Sequence, residues 1–414
     1  MSVRTSVRTS VRTSVRTALA SAAGTAAGAL RWAAAGVLAL VALVALAADA
    51  NAYPHFQLSS GSAQCSQCHV GPAGGGLLTP WGQDEQGDTI ARGGDGHFLH
   101  GAIALPGWLM IGGNLRLAAL ANDVGGTEGA ELAAFPMQID LAVRVASGAW
   151  SVVAIAGARG VVRSGAPDTE ADPASEASAP SLASYLISRE HYAMWRPGEQ
   201  GAYMRAGRFA APYGLRLADH TAYVRRYLGY NLLEETYGLG GGWLGDTWEL
   251  HATAFASDPL QGAARGEVGA AAMIEARPAT ALVVGASARA GVGDADTRLT
   301  AGVHGKLWLA SARLLVQAEL DGVRQMFDAA GGDRWQVAAY AGPVWIPARG
   351  VYAGAGYQVF SEDVQIRGVA RHSVDAWLSV LPRAHVEVMA SGRAQRIGPS
   401  EHAYLGMLQL HYAL

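Results

Sequence analysis

The chain contains two cysteines, which stand three positions apart with a histidine directly after the second. The stretch reads GSAQCSQCHVGPAGGG over residues 61–76, with Cys65, Cys68 and His69 in the spacing C-x-x-C-H. This spacing is the attachment signature of a c-type haem. In that chemistry Cys65 and Cys68 add across the two vinyl groups, and His69 binds the iron as the proximal axial ligand. The motif predicts one covalent haem c.

Other chemistry is open to the same cysteines. A C-x-x-C pair also occurs in redox dithiols, in disulfides and as half of a zinc site. The chain has no second C-x-x-C to complete a zinc ribbon, and no βαβ pattern surrounds the motif as in thioredoxin. A dithiol or disulfide is therefore the alternative to haem attachment.

The sixth ligand of the haem iron is predicted from the segment GDGHFLHG. His100 is the favoured distal ligand and His97 is nearly equal, because either loop residue can fold back over the distal face. His55 precedes the motif, and Met110 is expected to be committed to a strand. Methionine ligation raises the reduction potential relative to two histidines, so this choice bears on the possible electron donors.

Attachment of a c-type haem takes place outside the cytoplasm, and residues 1–52 have the features of an export signal. Four SVRT units and Arg31 supply positive charge, residues 33–48 form an apolar run, and Ala-Asn-Ala at 50–52 is a small-x-small cleavage site. The apolar run is shorter than the roughly 20 residues of a membrane-spanning helix. Cleavage near Ala52 is expected.

Composition excludes one class of partner. Without residues 1–52 the chain keeps 26 basic and 33 acidic residues, a net charge of −7. A nucleic acid is an unfavourable partner for such a chain. Half of all residues are apolar, yet no apolar run after the leader is long enough for a transmembrane helix.

Apolar and polar residues alternate from about Trp108 to the last residue in segments of about ten residues. In residues 137–145 the polar Gln138, Asp140 and Arg144 alternate with aliphatic residues. Residues 313–321 and 385–395 repeat the pattern. Period-two alternation predicts strands with one apolar and one polar face. A soluble sandwich and an outer-membrane barrel both have such strands.

Loop lengths favour the barrel. Connections after even-numbered strands are short, as at residues 147, 244 and 382, whereas those after odd-numbered strands are longer, as at residues 164 and 361. Short periplasmic turns that alternate with long outer loops are typical of bacterial outer-membrane barrels. We predict an all-β transmembrane barrel of about 16 antiparallel strands, with its apolar face against outer-membrane lipid.

The predicted organisation is an export signal at 1–52, a small irregular and helical haem module at 53–104, and a barrel at 105–414. A module of about fifty residues buries little apolar surface on its own. A barrel of 16 strands has a wide lumen. We expect the module to lie in or at this lumen, where the wall supplies the missing core.

With CSQCH at 65–69 ahead of such a barrel, the chain resembles the fused cytochrome–porin proteins of the outer membrane, a family that includes iron-oxidising cytochromes. The resemblance implies electron transfer from an extracellular reduced donor, such as Fe(II), to a periplasmic electron-carrier cytochrome, and an iron oxidase activity. The alternatives are a solute porin whose haem module is a plug or redox gate, and a peroxidase-type haem enzyme.

Overall fold

The computed structural model describes most of the chain after the predicted leader. The described residues are 56–59, 62, 64–124, 131–159, 186–217, 219, 221–230, 234–256, 266–327, 332–398 and 401–414. The predicted export signal, His55 and the acidic loop that starts at residue 164 lie outside these ranges.

Sixteen antiparallel strands form one closed barrel, in which each strand pairs with its neighbours in sequence and β1 pairs with β16. This confirms the predicted fold class and strand number. The strands are β1 Leu109–Val124, β2 Glu131–Ser147, β3 Trp150–Arg159, β4 Leu186–Trp195, β5 Gly201–Phe209, β6 Thr236–Leu244, β7 Trp248–Ala256, β8 Val268–Ala279, β9 Leu282–Val292, β10 Asp296–Leu309, β11 Leu314–Phe327, β12 Asp333–Ala348, β13 Val351–Ser361, β14 Arg371–Arg383, β15 Val386–Arg396 and β16 His402–Ala413.

The strands separate apolar from polar side chains across the barrel wall. In β7, Trp248 and Leu250 point outward and are exposed, while Glu249 and His251 point inward and are fully buried. Exposed aliphatic residues on other strands, such as Val303, continue the apolar outer face. Several exposed tryptophans lie beside the short turns (Trp108, Trp150, Trp243, Trp248 and Trp345). Such a surface suits a lipid bilayer with an aromatic girdle.

Connection lengths follow the predicted alternation with three exceptions. The turns after even-numbered strands contain two to five residues, and most connections after odd-numbered strands are longer, up to 26 residues. The exceptions are the β9–β10 connection, where only residues 293–295 separate the strands, and the β11–β12 and β15–β16 connections, which contain five residues each. The end of the barrel with the even-to-odd turns is called the short-turn end below.

The described residues between 56 and 108, here called the plug, precede β1 and contain two short helices. These are α1, Cys65–Cys68, and α2, Pro80–Glu85, which continues into a π-helical turn at Gln86–Ile90. A 3₁₀ turn follows at Phe98–Gly101. This agrees with the predicted small irregular and helical segment ahead of the barrel.

None of the described helices has the length and apolar character that a membrane-spanning helix requires.

The β5–β6 connection, residues 210–235, corrects one expectation about the outer loops. The sequence pattern assigned it to the long loops outside the barrel, but its described part folds against the inner wall. It contains α3, Tyr223–Arg226, and its apolar side chains pack on Val323, Tyr340 and Phe360 of β11–β13. It is called the constriction loop below, because it narrows the lumen.

Candidate functional site

The C-x-x-C-H motif lies in the plug on a single helical turn and the residue that ends it. Gln64 caps α1, and its backbone N–H donates to Oε1 of Gln67 at 3.1 Å. His69 ends the helix with an extended backbone, and its N–H donates to the carbonyl of Cys65 at 2.9 Å. Residues three apart on a helix lie on the same side. The helix thus presents both sulfurs together, with His69 immediately after them.

The two cysteines are not bonded to each other, and both are shielded from water. Cys68 is buried and Cys65 is half-buried. Burial raises the pKa of the Cys65 thiol to about 12 and that of the Cys68 thiol to about 11. A redox dithiol needs a lowered thiol pKa, because the thiolate is the reactive species. The surroundings of these cysteines therefore do not favour the dithiol alternative.

The raised pKa values of the two thiols predict slow thiol chemistry in protein without attached haem. We expect Cys65 and Cys68 to resist iodoacetamide at neutral pH, because thiolate forms only as the pH approaches the raised pKa values of about 12 and 11. Mass spectrometry would measure the alkylated fraction, with urea-unfolded protein as the control. Rapid labelling of the native protein at neutral pH would instead support a redox dithiol.

His69 lies inside the barrel in the form that binds a metal. Burial lowers its pKa to about 4, and its imidazole hydrogen-bonds to the backbone of Gly76. The ring is therefore uncharged at neutral pH, as an iron ligand must be. A hydrogen bond from a ligating histidine to the backbone is a common way to fix the ring orientation. Among the described residues no group of three or more His, Cys, Asp or Glu could hold a metal ion.

A run of three glycines, Gly74–Gly76, lies beside the motif. All three have positive φ, between 69° and 85°. A Cβ on Gly74 would lie 3.3 Å from Cβ of Cys65, and one on Gly76 would lie 3.2 Å from Cδ1 of Ile155. The glycines thus allow close backbone approach beside the cysteine, in a conformation that other residues rarely adopt. Two sulfurs, an imidazole and a glycine run are the groups that a c-type haem site would use, and haem attachment at this motif stays a prediction.

The part of the plug that directly follows the C-x-x-C-H motif packs against strands β1–β6. His69 forms a bridge with Leu78, and the N–H of Val70 donates to the carbonyl of Leu77 at 2.9 Å. Val70 and Leu77 belong to a buried apolar cluster with wall residues (Met110, Ala142, Val153, Ile155, Tyr192, Met194, Tyr203, Phe209 and Leu244). The wall therefore supplies the core that the short plug lacks.

Residues 87–95 of the plug bind two turns of the short-turn end. Tyr352 donates from its hydroxyl to the carbonyl of Ile90 at 2.7 Å, and Arg349 donates to the carbonyls of Gly87 and Ala91. At the β14–β15 turn, the N–H of Ala384 donates to the carbonyl of Gly93 at 2.7 Å. These bonds hold plug backbone on the side of the barrel opposite to β4–β6.

The start of the plug meets a set of buried charged residues on β8 and β10. Lys306 is the only lysine in the sequence, and its ammonium donates to Oε2 of Glu275 at 2.9 Å and to the side chain of Gln57. His304 Nε2 lies 3.1 Å from the same oxygen of Glu275. These four residues, each no more than 6% exposed, are called the latch below.

Sequence reasoning did not find the latch, although a signal for it was present. Alternation places Glu275, His304 and Lys306 on the polar face of their strands, and the single lysine stands out among 31 basic residues. The pattern identifies the face of a residue but not its partner. The contact of Gln57 with a wall more than 200 residues away is therefore visible only in the fold.

The predicted distal ligands lie at the short-turn end. His100 Nε2 lies 3.1 Å from the hydroxyl of Tyr412, and its ring centroid lies 4.4 Å from that of His385. His97 Nδ1 lies 2.9 Å from Oδ1 of Asp95. Met110 belongs to β1 as expected, but its side chain points into the lumen, in the apolar cluster that contains Val70. Distal ligation by His100 or His97 stays a prediction.

This prediction can be tested by spectroscopy on haem-loaded protein. We expect His100→Ala, or else His97→Ala, to convert a low-spin haem spectrum to a mixed or high-spin one, because the iron loses its sixth ligand. The comparison variant is Met110→Ala, and the measurement is the absorption spectrum of both oxidation states. A change only in Met110→Ala would assign the methionine instead.

Comparison with solved structures agrees with the barrel architecture. The anion-selective porin from Comamonas acidovorans superposes with a TM-score of 0.56 at 9% identity, over 74% of this chain and 99% of that chain. The outer membrane channel DcaP of Acinetobacter baumannii gives 0.54 at 12% identity, over 74% and 97%. Outer-membrane expressed OmpT of Vibrio cholerae gives 0.53 at 11% identity, over 75% and 100%.

At these identities the likeness concerns the fold. No protein-family model matches the chain, and no curated protein matches it. The closed 16-strand barrel, its apolar outer face and its structural neighbours define a porin-type β-barrel of the bacterial outer membrane.

Proposed function

We propose that the protein is a porin-type outer-membrane channel whose lumen is closed by its own plug. The observation that carries this proposal is the spread of plug contacts around the wall. Gln64 binds the β6–β7 turn at Gly245, Gln57 binds Glu275 of β8 and Lys306 of β10, and residues 87–95 bind the β12–β13 and β14–β15 turns. An unplugged barrel of this size would leave an aqueous channel.

The test is the conductance of the whole chain in planar bilayers. We expect the wild type to conduct much less than an open 16-strand porin. The double variant Arg349→Ala/Tyr352→Phe, which removes three hydrogen bonds to plug backbone, should open more often. The matched control is Arg313→Ala, because Arg313 donates to Pro347 rather than to the plug. A wild type that conducts as freely as an open porin would refute the proposal.

A second function, electron transfer, is favoured by the place of the C-x-x-C-H motif inside the lumen. Cys65 and Cys68 would hold a haem c covalently, and His69 would bind its iron from the proximal side. When bound, such a group supplies one-electron redox chemistry. One electron would leave an extracellular reduced donor, such as Fe(II) becoming Fe(III), and a periplasmic electron-carrier cytochrome would take it up.

This second function requires covalent haem and a competent donor. We expect protein from cells with c-type haem maturation to retain haem in a denaturing gel. Rapid mixing with Fe(II) should then reduce it, as followed by absorption. A low-spin, six-coordinate spectrum would exclude the peroxidase-type alternative, which needs an open sixth position. Absence of covalent haem would refute the electron-transfer function and leave the plugged channel unaffected.

A further inference from the structure

Arg216 is the point at which the constriction loop touches the haem-attachment segment. It lies between β5 and β6, more than 140 positions after the motif, and its guanidinium donates to the carbonyls of Gly74 and Ala73, the latter at 3.4 Å. A Cβ on Gly75 would lie 2.9 Å from Nη2 of Arg216. The glycine run thus admits this guanidinium against plug backbone.

Arg216 lies close to the motif itself. Its side chain also approaches Cys65 along the glycine run, because a Cβ on Gly74 would lie 3.3 Å from Cβ of Cys65 and 4.0 Å from Cδ of Arg216. A fixed cation therefore stands beside one of the two cysteines that would hold a haem.

Other charged groups surround the same segment. Glu190 of β4 approaches it from the barrel wall, since its Oε2 would lie 3.4 Å from a Cβ on Gly76. Glu249, Glu275 and Lys306 act electrostatically on Cys65. Arg216 differs from these wall residues because it comes from a loop and bonds directly to the plug backbone.

We propose that Arg216 raises the reduction potential of the haem held by Cys65, Cys68 and His69. The inference rests on the electron-transfer function proposed above. Oxidised haem carries one more positive charge than reduced haem, so a nearby cation disfavours the oxidised form. Cys68 is buried and Cys65 is half-buried, and charges interact more strongly in such surroundings than in bulk water. Net charge and solvent exposure are known determinants of haem potential.

The experiment measures the midpoint potential of purified holoprotein by spectroelectrochemical titration. The variants are Arg216→Gln, which removes the charge, and Arg216→Lys, which keeps it. The matched control is Arg226→Gln, a change of equal charge at an exposed residue of α3 in the same loop. We expect a lower potential in Arg216→Gln, and values close to the wild type in Arg216→Lys and Arg226→Gln.

Haem content and electrophoretic heat-modifiability show that each variant is loaded and folded, and Arg216→Met replaces Arg216→Gln if the latter does not fold. An unchanged potential in the charge-removing variant would overturn the inference, as would an equal fall in Arg216→Lys. A wild type without covalent haem would refute the electron-transfer function itself, which is a different result from a loaded protein with an unchanged potential.

Discussion

The double variant Cys65→Ser/Cys68→Ser is expected to lose all covalent haem while its barrel still forms. Thioether bonds need both sulfurs, and serine offers none. The barrel does not depend on these sulfurs, because its closure rests on the pairing of β1 with β16 and β2. Haem staining after denaturing electrophoresis measures attachment, and heat-modifiable mobility measures barrel formation.

Ser66→Ala is the matched control for this experiment. Ser66 lies between the two cysteines and is buried, but it is not part of the attachment chemistry. It should keep full haem content. Barrel material of the double variant that retains full haem with an unchanged spectrum would contradict the cytochrome assignment of the motif.

The second large effect is expected at the latch. Lys306→Met would leave the buried carboxylate of Glu275 without its ammonium partner at 2.9 Å. Removing one partner of a buried ion pair costs about 3–5 kcal/mol, because an uncompensated charge stays buried. We expect a corresponding fall in the free energy of unfolding in urea, and faster proteolysis near Gln57, which the same ammonium holds.

Two further variants separate the latch from general charge effects. Lys306→Met/Glu275→Gln removes both charges and should recover much of the stability, because no unpaired charge remains. Arg324→Met breaks an exposed ion pair with Asp333, and exposed pairs contribute about 0–1 kcal/mol. Equal losses in Lys306→Met and Arg324→Met would contradict a special role for the latch.

The sequence predicts the barrel well because its physical signals are local. Alternation in a segment such as β7 follows from one lipid face and one inner face. Turn length follows from strand pairing between neighbours, so the strand number could be counted along the chain. The β9–β10, β11–β12 and β15–β16 connections depart from the predicted lengths, since nothing requires an outer loop to be long.

The constriction loop shows where such reasoning fails. Its length placed it among outer loops, whereas Tyr213, Leu215 and Tyr223 are buried inside the barrel. Apolar residues at this density are a sign that a loop is covered, and that sign was available in the sequence. The residues that the constriction loop contacts could not be identified from the sequence. The contact of Tyr213 with Asp321 at 2.8 Å joins residues 108 positions apart, which only the closed barrel brings together.

The C-x-x-C-H motif can likewise be predicted from the sequence, whereas the residues that surround it in the fold cannot. Cys65, Cys68 and His69 can be predicted as a haem site from spacing alone, since that chemistry requires that spacing. The approach of Arg216 to Gly74 depends on how a loop between β5 and β6 returns into the lumen. Trp308 gives a smaller example, because it is buried in an apolar cluster with Ile90 of the plug, a partner that its own strand does not reveal.

The enclosure of α1 by the barrel sets an order of events during biogenesis. The plug is synthesised before any strand. However, His385 of the β14–β15 turn hydrogen-bonds both to the carbonyl of Asp95 in the plug and to the carbonyl of Ala413 in β16. Its final seating therefore waits for the last strand. A maturation enzyme that must reach Cys65 and Cys68 would have to act in the periplasm on an unclosed chain, before β16 pairs with β1.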